Sequence, residues 1–277
     1  MNASTNQIDD RHMSAFLDGT RLYGNDFDPG ALQRWYDEEA EGYADLGAKD
    51  SGSYRYEYHE LNRQHAFRHL PEQSSLRILG LGSAYGEELR PLLPRAQSIT
   101  ILDPSSAFVH DTLDGIPLRY IKPQISGVIP ADDASFDIAT SFGVLHHIAN
   151  VEFVMSELYR TLAPGGHFVL REPIVSMGDW RRPRTGLTKN ERGIPLRILK
   201  DFARRAGFTI VKETLCDFPL TRLTFGRIRS DVFNDRIATL VDATISRLFA
   251  WKVRYHATTG WQKLRPASCA MVLKKPD

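Results

Sequence analysis

The sequence predicts an α/β protein built on a doubly wound, mainly parallel sheet, and three observations carry that prediction. Short apolar runs alternate with stretches of helical periodicity along most of the 277 residues, which is the pattern of βαβ units. The run Leu76 to Leu79 leads into a turn of small residues, Gly80-Leu81-Gly82-Ser83-Ala84-Tyr85-Gly86, where glycine lets the backbone turn sharply and approach a ligand. The next run, Ile99 to Leu102, ends on Asp103. An acid about 20 residues beyond such a turn can accept hydrogen bonds from a ribose diol. Together these pieces read as the first half of a sheet that binds an adenosine-containing ligand.

Composition sets the outer limits. With 42% hydrophobic and 25% charged residues the chain can fill a core, and its length suits one large α/β domain with additions. A formal net charge of +1 gives no global field for nucleic acid or an anionic membrane, so neither is expected as a partner. Cys216 and Cys269 are the two cysteines. They are too few for a disulfide scaffold or a cysteine-based zinc site, and read as small buried hydrophobes. The polar start lacks the charged and apolar regions of a signal peptide. No apolar run approaches the ~18 residues of a membrane span. The expected setting is the cytoplasm.

Taken in order, residues 1–28 are mixed and polar, punctuated by Gly19 and Gly24, and read as a mobile or loosely docked arm. From Pro29, Leu32, Trp35 and Tyr36 lie at helical spacing and predict an amphipathic helix that stops near Gly47. Tyr54, Tyr58, Leu61 and His65 share a face of a second predicted helix closed by Pro71. That face packs on the sheet, or brings Tyr58, Asn62 or Arg63 over the ligand. A helix is expected from Glu87-Glu88 and a second crossover helix over Pro104 to Gly115. A third strand follows over Leu118 to Ile125, a loop from Gly127, and a fourth strand over Ile138 to Phe142 with a turn at Gly143. Asn150 is the expected N-cap of a helix whose apolar face is Val151, Val154, Met155, Leu158 and Leu162. Pro164-Gly165-Gly166 ends it ahead of a fifth strand, His167 to Pro173. The loop over residues 174–193 is too long for a plain connection. Its Trp180, Arg181, Arg182 and Arg184 could grip a phosphate or carboxylate with the indole on a ring, or form a solvated basic loop. A helix (195–208), a sixth strand (208–215), a helical stretch within 217–262 and a closing strand (267–276) complete the chain. In that helical stretch Ile237, Leu240, Val241, Ile245 and Leu248 are apolar, for packing on a lid or across a homodimer interface.

Four pieces of this text, in this order and at these spacings, resemble the class I S-adenosylmethionine-dependent methyltransferases of the type 11/12 kind. They are the turn GLGSAYG, the strand end ILDPS, the segment FDIATSFGVLHHI and the segment LYRTLAPGGHFVLREP. The resemblance covers roughly Tyr54 to Leu215, and the final strand more weakly. It implies a Rossmann-like seven-stranded sheet with an antiparallel last strand. It also implies a methyltransferase domain over 54–277 behind an N-terminal arm and lid helix (1–53), with a substrate loop (174–193) and a helical lid insertion (217–262). The implied cofactor is S-adenosylmethionine, held by Gly80, Gly82, Ser83, Ala84, Gly86, Asp103, Pro104, Phe142 and Gly143. There is one departure: Gly80 stands where the family usually has an acid that helps bind the methionine end, and Ala84 replaces the middle glycine. Glu87, Glu88 or a residue of the N-terminal helices is left to substitute.

Methyl transfer needs the acceptor atom held near attack distance and, for a hydroxyl, a base. Ligand-facing residues of a doubly wound sheet lie at the carboxyl ends of its strands, which selects His146, His147 and Glu172 as catalytic candidates. A neutral imidazole, with an ordinary pKa of about 6.5, can act as base at neutral pH. Adjacent side chains point apart, so at most one of the pair acts, and the alternative is a histidine that packs beside the cofactor without taking a proton. Glu172 is the rival base, or else pairs with a loop arginine. Asp132-Asp133 and Asp26/Asp28 read as solvated turns, and no metal is expected. The acceptor expected is a small molecule, with O-methylation favoured. The segments EYHELN and MGDWRRP are similar to methyltransferases of bacterial glycan biosynthesis, which implies a sugar, nucleotide-sugar or glycan hydroxyl. The alternatives are a protein or RNA methyltransferase gripping through Arg181, Arg182, Arg184, Arg204 and Arg205, and a non-catalytic binding protein on the same fold.

Overall fold

The computed structural model describes residues 10–46, 54–180, 182, 184–227 and 231–277. The strands are Leu76–Leu81 (β1), Ala96–Leu102 (β2), Thr112–Leu113 (β3), Ile116–Ile121 (β4), Phe136–Phe142 (β5), Leu162–Pro173 (β6), Thr209–Cys216 (β7) and Ser268–Lys274 (β8). They form one sheet in the order β3-β4-β2-β1-β5-β6-β8-β7. The pairs from β4 through β6 are parallel, whereas β8 runs antiparallel to both β6 and β7. This is the doubly wound sheet with an antiparallel last strand, plus a short extra strand, β3, at the edge. The chain crosses from one side of β1 to the other between β4 and β5, so the crevice of the fold opens above β1 and β5.

The α-helices are Asp10–Leu17 (α1), Pro29–Leu46 (α2), His59–His65 (α3), Val151–Thr161 (α4), Leu196–Ala206 (α5), Pro219–Phe225 (α6), Arg236–Leu248 (α7) and Gly260–Lys263 (α8). Alternation along β6 shows how the sheet divides two cores. Phe168 and Leu170 join a core with Val154, Met155 and Leu158 of α4 and Leu199 and Phe202 of α5. Val169 points the other way, into a core with Phe67, Ile78 and Leu89. Burial on both faces is why these strands read as apolar runs. The same alternation sends Arg171 and Glu172 to opposite faces. Because β7 runs parallel to β6, the helices α6 to α8 leave the sheet from the edge on which the crevice opens.

Several local expectations are corrected. No helix spans Pro104 to Gly115: a single 3-10 turn, Ser106–Phe108, is followed by a β3–β4 hairpin. Asp114 and Gly115, at φ +47° and +85°, supply the left-handed pair that a two-residue hairpin turn requires. The segment after the glycine turn, Glu87–Arg95, is 3-10 and not α-helical, since Pro91 and Pro94 remove donors that an α-helix would use. The second predicted helix begins only at His59, and Tyr54 packs instead on Tyr85 at 5.4 Å between ring centroids. Asn150 holds the N-cap position of α4 without capping it. Its amide donates to the Ser126 carbonyl, and Asn25 of the arm accepts from the Glu152 N–H at 3.0 Å in its place. The arm itself is docked over its described part. Met13 and Phe16 pack with Trp180 and Tyr255, and Leu22 enters the main core. Residues 1–9 of the predicted arm, and the predicted helix stop at Gly47, lie outside the described residues. Among the described residues no helix is long and apolar enough to cross a membrane.

Candidate active site

The crevice above β1, β2 and β5 is roofed by α2. Leu32, Trp35, Tyr36 and Glu39 sit at i, i+3, i+4 and i+7 on that helix and all line the pocket, a single helical face. Its floor and walls include Leu81, Gly82, Asp103, Pro104, Ile129, Gly143 and His147. Gly82 has φ +62°, and a Cβ there would come within 2.5 Å of Val144, so glycine is required at this turn. Asp103 is buried, and its two oxygens accept from the Ala84 and Ser105 N–H groups at 3.2 and 2.9 Å. Burial raises its pKa above the ordinary carboxylate value. A carboxyl fixed this way at the end of β2 still has lone pairs for a diol.

At Gly80 the structure shows what replaces the expected acid. A Cβ on Gly80 would run into the Ser83 hydroxyl and approach Leu89. Ser83 therefore fills the space over the strand end, with its hydroxyl buried. Beside it lies Glu88, 5% exposed. Burial pushes its carboxyl up to about 7, a rise that the nearby Ser83 hydroxyl only partly offsets. Glu87 differs: it pairs with Arg90 at 2.6 Å and is held outward.

The two histidines follow β5 in a 3-10 turn, Leu145–His147, and face different partners. His146 Nδ1 lies 2.8 Å from Glu172 and its Nε2 3.5 Å from Glu191. Burial alone would lower its pKa, but the two carboxylates outweigh burial and raise it. Glu172 is fully buried and accepts from the backbone N–H groups of Val144, Leu145 and His146. Burial opposes its charge, yet the hydrogen bond from His146 keeps its pKa below the ordinary value. Glu191 is likewise opposed by burial and held at about 2 by the histidines and the Thr188 N–H. His147 lies on the pocket wall with Nδ1 2.8 Å from Glu39 of α2. Burial, then the charge of His146, lowers its pKa in spite of Glu39. It is therefore neutral at neutral pH, whereas His146 favours its charged form.

The loop 174–193 closes this cluster from above. Glu39 also accepts from the Thr188 hydroxyl at 2.7 Å and the Asn190 N–H at 3.0 Å, and Glu38 pairs with Lys189. Arg192, fully buried, donates to the carbonyls of His146, Ile148, Ala149 and Tyr23. His146, His147 and Glu191 each bring one ligand-capable atom to within 4.8 Å of the others, a grouping that the reading of the aspartate pairs missed.

Of the residues expected to hold the cofactor, Gly82, Asp103, Pro104 and Gly143 line the pocket. Ala84 braces Asp103 through its N–H. Gly80 and Ser83 pack behind the turn, Gly86 takes φ +74° ahead of the 3-10 segment, and the Phe142 ring packs on Phe67 at 5.6 Å. None of the described loop residues Trp180, Arg182 and Arg184 lines this pocket. Trp180 is buried against Tyr23 and Phe16, and Arg184 donates to the carbonyls of Glu191, Thr188 and Lys189. Arg182 is exposed, and Arg181 lies outside the described residues. Glu39 and Glu191 were missed in sequence. Glu39 carried a readable signal, since it extends the Leu32, Trp35, Tyr36 face by one turn.

A family model described as a methyltransferase domain matches residues 79–170, from inside β1 to inside β6. Over 151 residues, 52% of this chain, the sequence is 28% identical to 4% of a hybrid PKS-NRPS synthetase from Acremonium sp. Over 96 residues, 33% of this chain, it is 30% identical to 38% of the ubiquinone biosynthesis O-methyltransferase of Rhizobium etli. The matches thus span well under half of either relative. In fold, the chain is similar to Haemonchus contortus phosphoethanolamine N-methyltransferase 2, a structure in complex with S-adenosyl-L-methionine. That likeness has a TM-score of 0.55 at 16% identity, covering 95% of this chain and 60% of that one. The sheet order, the glycine turn, Asp103 and the domain match agree with one another. Residues 79–170 match a methyltransferase domain, and the chain is similar in sequence and fold to class I S-adenosylmethionine-dependent methyltransferases.

Proposed function

We propose that this chain transfers a methyl group from S-adenosylmethionine to a hydroxyl of a small molecule, with His147 as the base. The supporting observation is the His147–Glu39 pair. It is a neutral imidazole on the pocket wall, oriented by a carboxylate that belongs to the roof. In support, the pocket offers Asp103 for a ribose, and Leu81, Leu102 and Ile129 as apolar walls for an adenosine. When bound, S-adenosylmethionine supplies an electrophilic methyl on a sulfonium. In our reading His147 takes the acceptor's proton as the oxygen attacks, and Glu39 steadies the imidazolium that forms. Glu172 and His146 position rather than react: Glu172 has its oxygens filled by backbone donors and His146. Glu88 stands in for the acid absent at Gly80, being the buried carboxyl beside the turn, whereas Glu87 is spent on Arg90.

The roof and the clasped loop suit a small, enclosed acceptor better than a polymer groove. A sugar, nucleotide-sugar or glycan hydroxyl is the first class to try, in a cytoplasmic setting. The test is calorimetric titration with S-adenosylmethionine and S-adenosylhomocysteine, followed by an acceptor screen. Asp103→Ala should weaken cofactor binding by about tenfold or more. His147→Gln should bind the cofactor normally and lose on the order of 10²-fold in rate. Absence of binding by the wild type would overturn the reading and leave a non-catalytic binding protein. Full activity in His147→Gln would remove the base from it.

A further inference from the structure

We propose that the outer face of α7 and the turn after it dock this protein on an anionic lipid surface. The helix is turned the opposite way from a core helix. Ala238, Thr239, Asp242 and Ser246 are its buried residues, and Asp242 accepts from the Asp217 and Phe218 N–H groups at 2.8 Å each. The large apolar residues face solvent. Ile237, Leu240 and Leu248 lie at i, i+3 and i+11, one face of the helix, and are 63%, 46% and 67% exposed. Trp251, three positions beyond Leu248, and Trp261 are 75% and 66% exposed. Lys252 Nζ sits 3.6 Å from the centroid of the Trp261 ring and 5.9 Å from that of Trp251. A solvent-facing stripe of this size is uncommon without an occupant.

Charge selects the occupant. The whole-chain balance of +1 hides a local excess: positions 236–265 hold six basic residues and one acid, Asp242; that acid and Arg265 are buried, which leaves five cations outside the core. Arg236 and Arg247 are exposed and fall one position before Ile237 and Leu248, so they line one flank of the stripe. Leucine, isoleucine and tryptophan on one side with arginine and lysine beside them is the make-up of an interfacial helix on anionic lipid. Tryptophan favours the water–lipid boundary. A second copy fits worse, since a two-fold contact would set these cations against their own counterparts. None of this depends on the transfer reaction proposed above.

The experiment is co-sedimentation of the full chain with vesicles of phosphatidylcholine alone and of phosphatidylcholine with phosphatidylglycerol at about three to one. Binding to the mixed vesicles should exceed that to phosphatidylcholine by about tenfold and fall steeply as salt rises. Leu248→Ser with Trp251→Ser should lose about tenfold, and Arg236→Glu with Arg247→Glu should lose as much. Phe153→Ser, an exposed apolar residue on α4, should change nothing. All of these positions are exposed, and unchanged melting would show that the variants fold. Equal or absent binding to the two vesicle types overturns the proposal. So does a wild-type dimer that the serine variant converts to monomer, which would assign the face to a second copy.

Discussion

The buried carboxyl of Glu88 offers a direct thermodynamic check, through Glu88→Gln. In the folded protein burial raises this group from an ordinary 4.5 to about 7, so the folded state holds the proton more tightly than the unfolded one. The group's contribution to stability is therefore complete below about pH 4.5 and is lost as pH rises through about 7. At about 1.4 kcal/mol per pH unit, that gap is worth about 3 kcal/mol. Glutamine keeps the shape and cannot ionise. Its amide adds a constant offset, but it removes the slope. Urea unfolding of both proteins from pH 4.5 to 8.5 should show the variant gaining about 3 kcal/mol on the wild type across the window, then a plateau. In thermal melts the same change should read as about 6 °C, at about 2 °C per kcal/mol for a chain of this length. Other ionisable groups are common to both proteins and cancel. A pH-independent difference would show that the Glu88 carboxyl is hydrated or paired, and would also remove it as the stand-in for the missing strand-end acid.

Three further outcomes follow from the site. Glu172→Gln leaves three backbone N–H groups and a charged histidine facing a neutral amide, and should cost about 3 kcal/mol of unfolding free energy, read by urea titration. Gly82→Ala forces a side chain into φ +62° and against Val144. It should lower stability by about 2 kcal/mol and weaken S-adenosylhomocysteine binding; an unchanged denaturation midpoint would contradict the geometry. In a pH–rate profile, activity should fall on the acid side as His147 is protonated, at a pH below the ordinary histidine value because burial lowers its pKa. Glu39 favours the charged form of that ring, so Glu39→Gln should move the acid limb to still lower pH while reducing the maximal rate. A limb that stays put would detach Glu39 from the base.

What the sequence disclosed and what it hid divide along physical lines. Strands β1, β5 and β6 and the end of β2 are largely buried on both faces, so their apolar runs identified them as strands, and the turn and Asp103 between them came with the pattern. The helix expected over Pro104 to Gly115 failed because Asp114-Gly115 is a hairpin signal that outweighs a weak helical pattern across twelve residues. The 3-10 form of Glu87–Arg95 was written in Pro91 and Pro94. The partnership of His147 with Glu39, 108 positions apart, has no local sequence signal at all. It exists only because α2 folds back over the crevice. The arginines of the 174–193 loop drew attention as charges, yet Arg184 and Arg192 spend theirs on backbone carbonyls, a use that composition does not announce.

The attachment of α2 has a consequence for the order of events. Trp35 donates to the His147 carbonyl at 2.7 Å and Glu39 accepts from the His147 ring, so the roof is fastened to the residue proposed as base. A displacement of α2 would strip the imidazole of its orienting carboxylate. The two conditions are then interlocked. On the proposed reaction, the base would be oriented only with the helix in place. Such a device guards a reactive sulfonium from stray water without any residue reserved for that task.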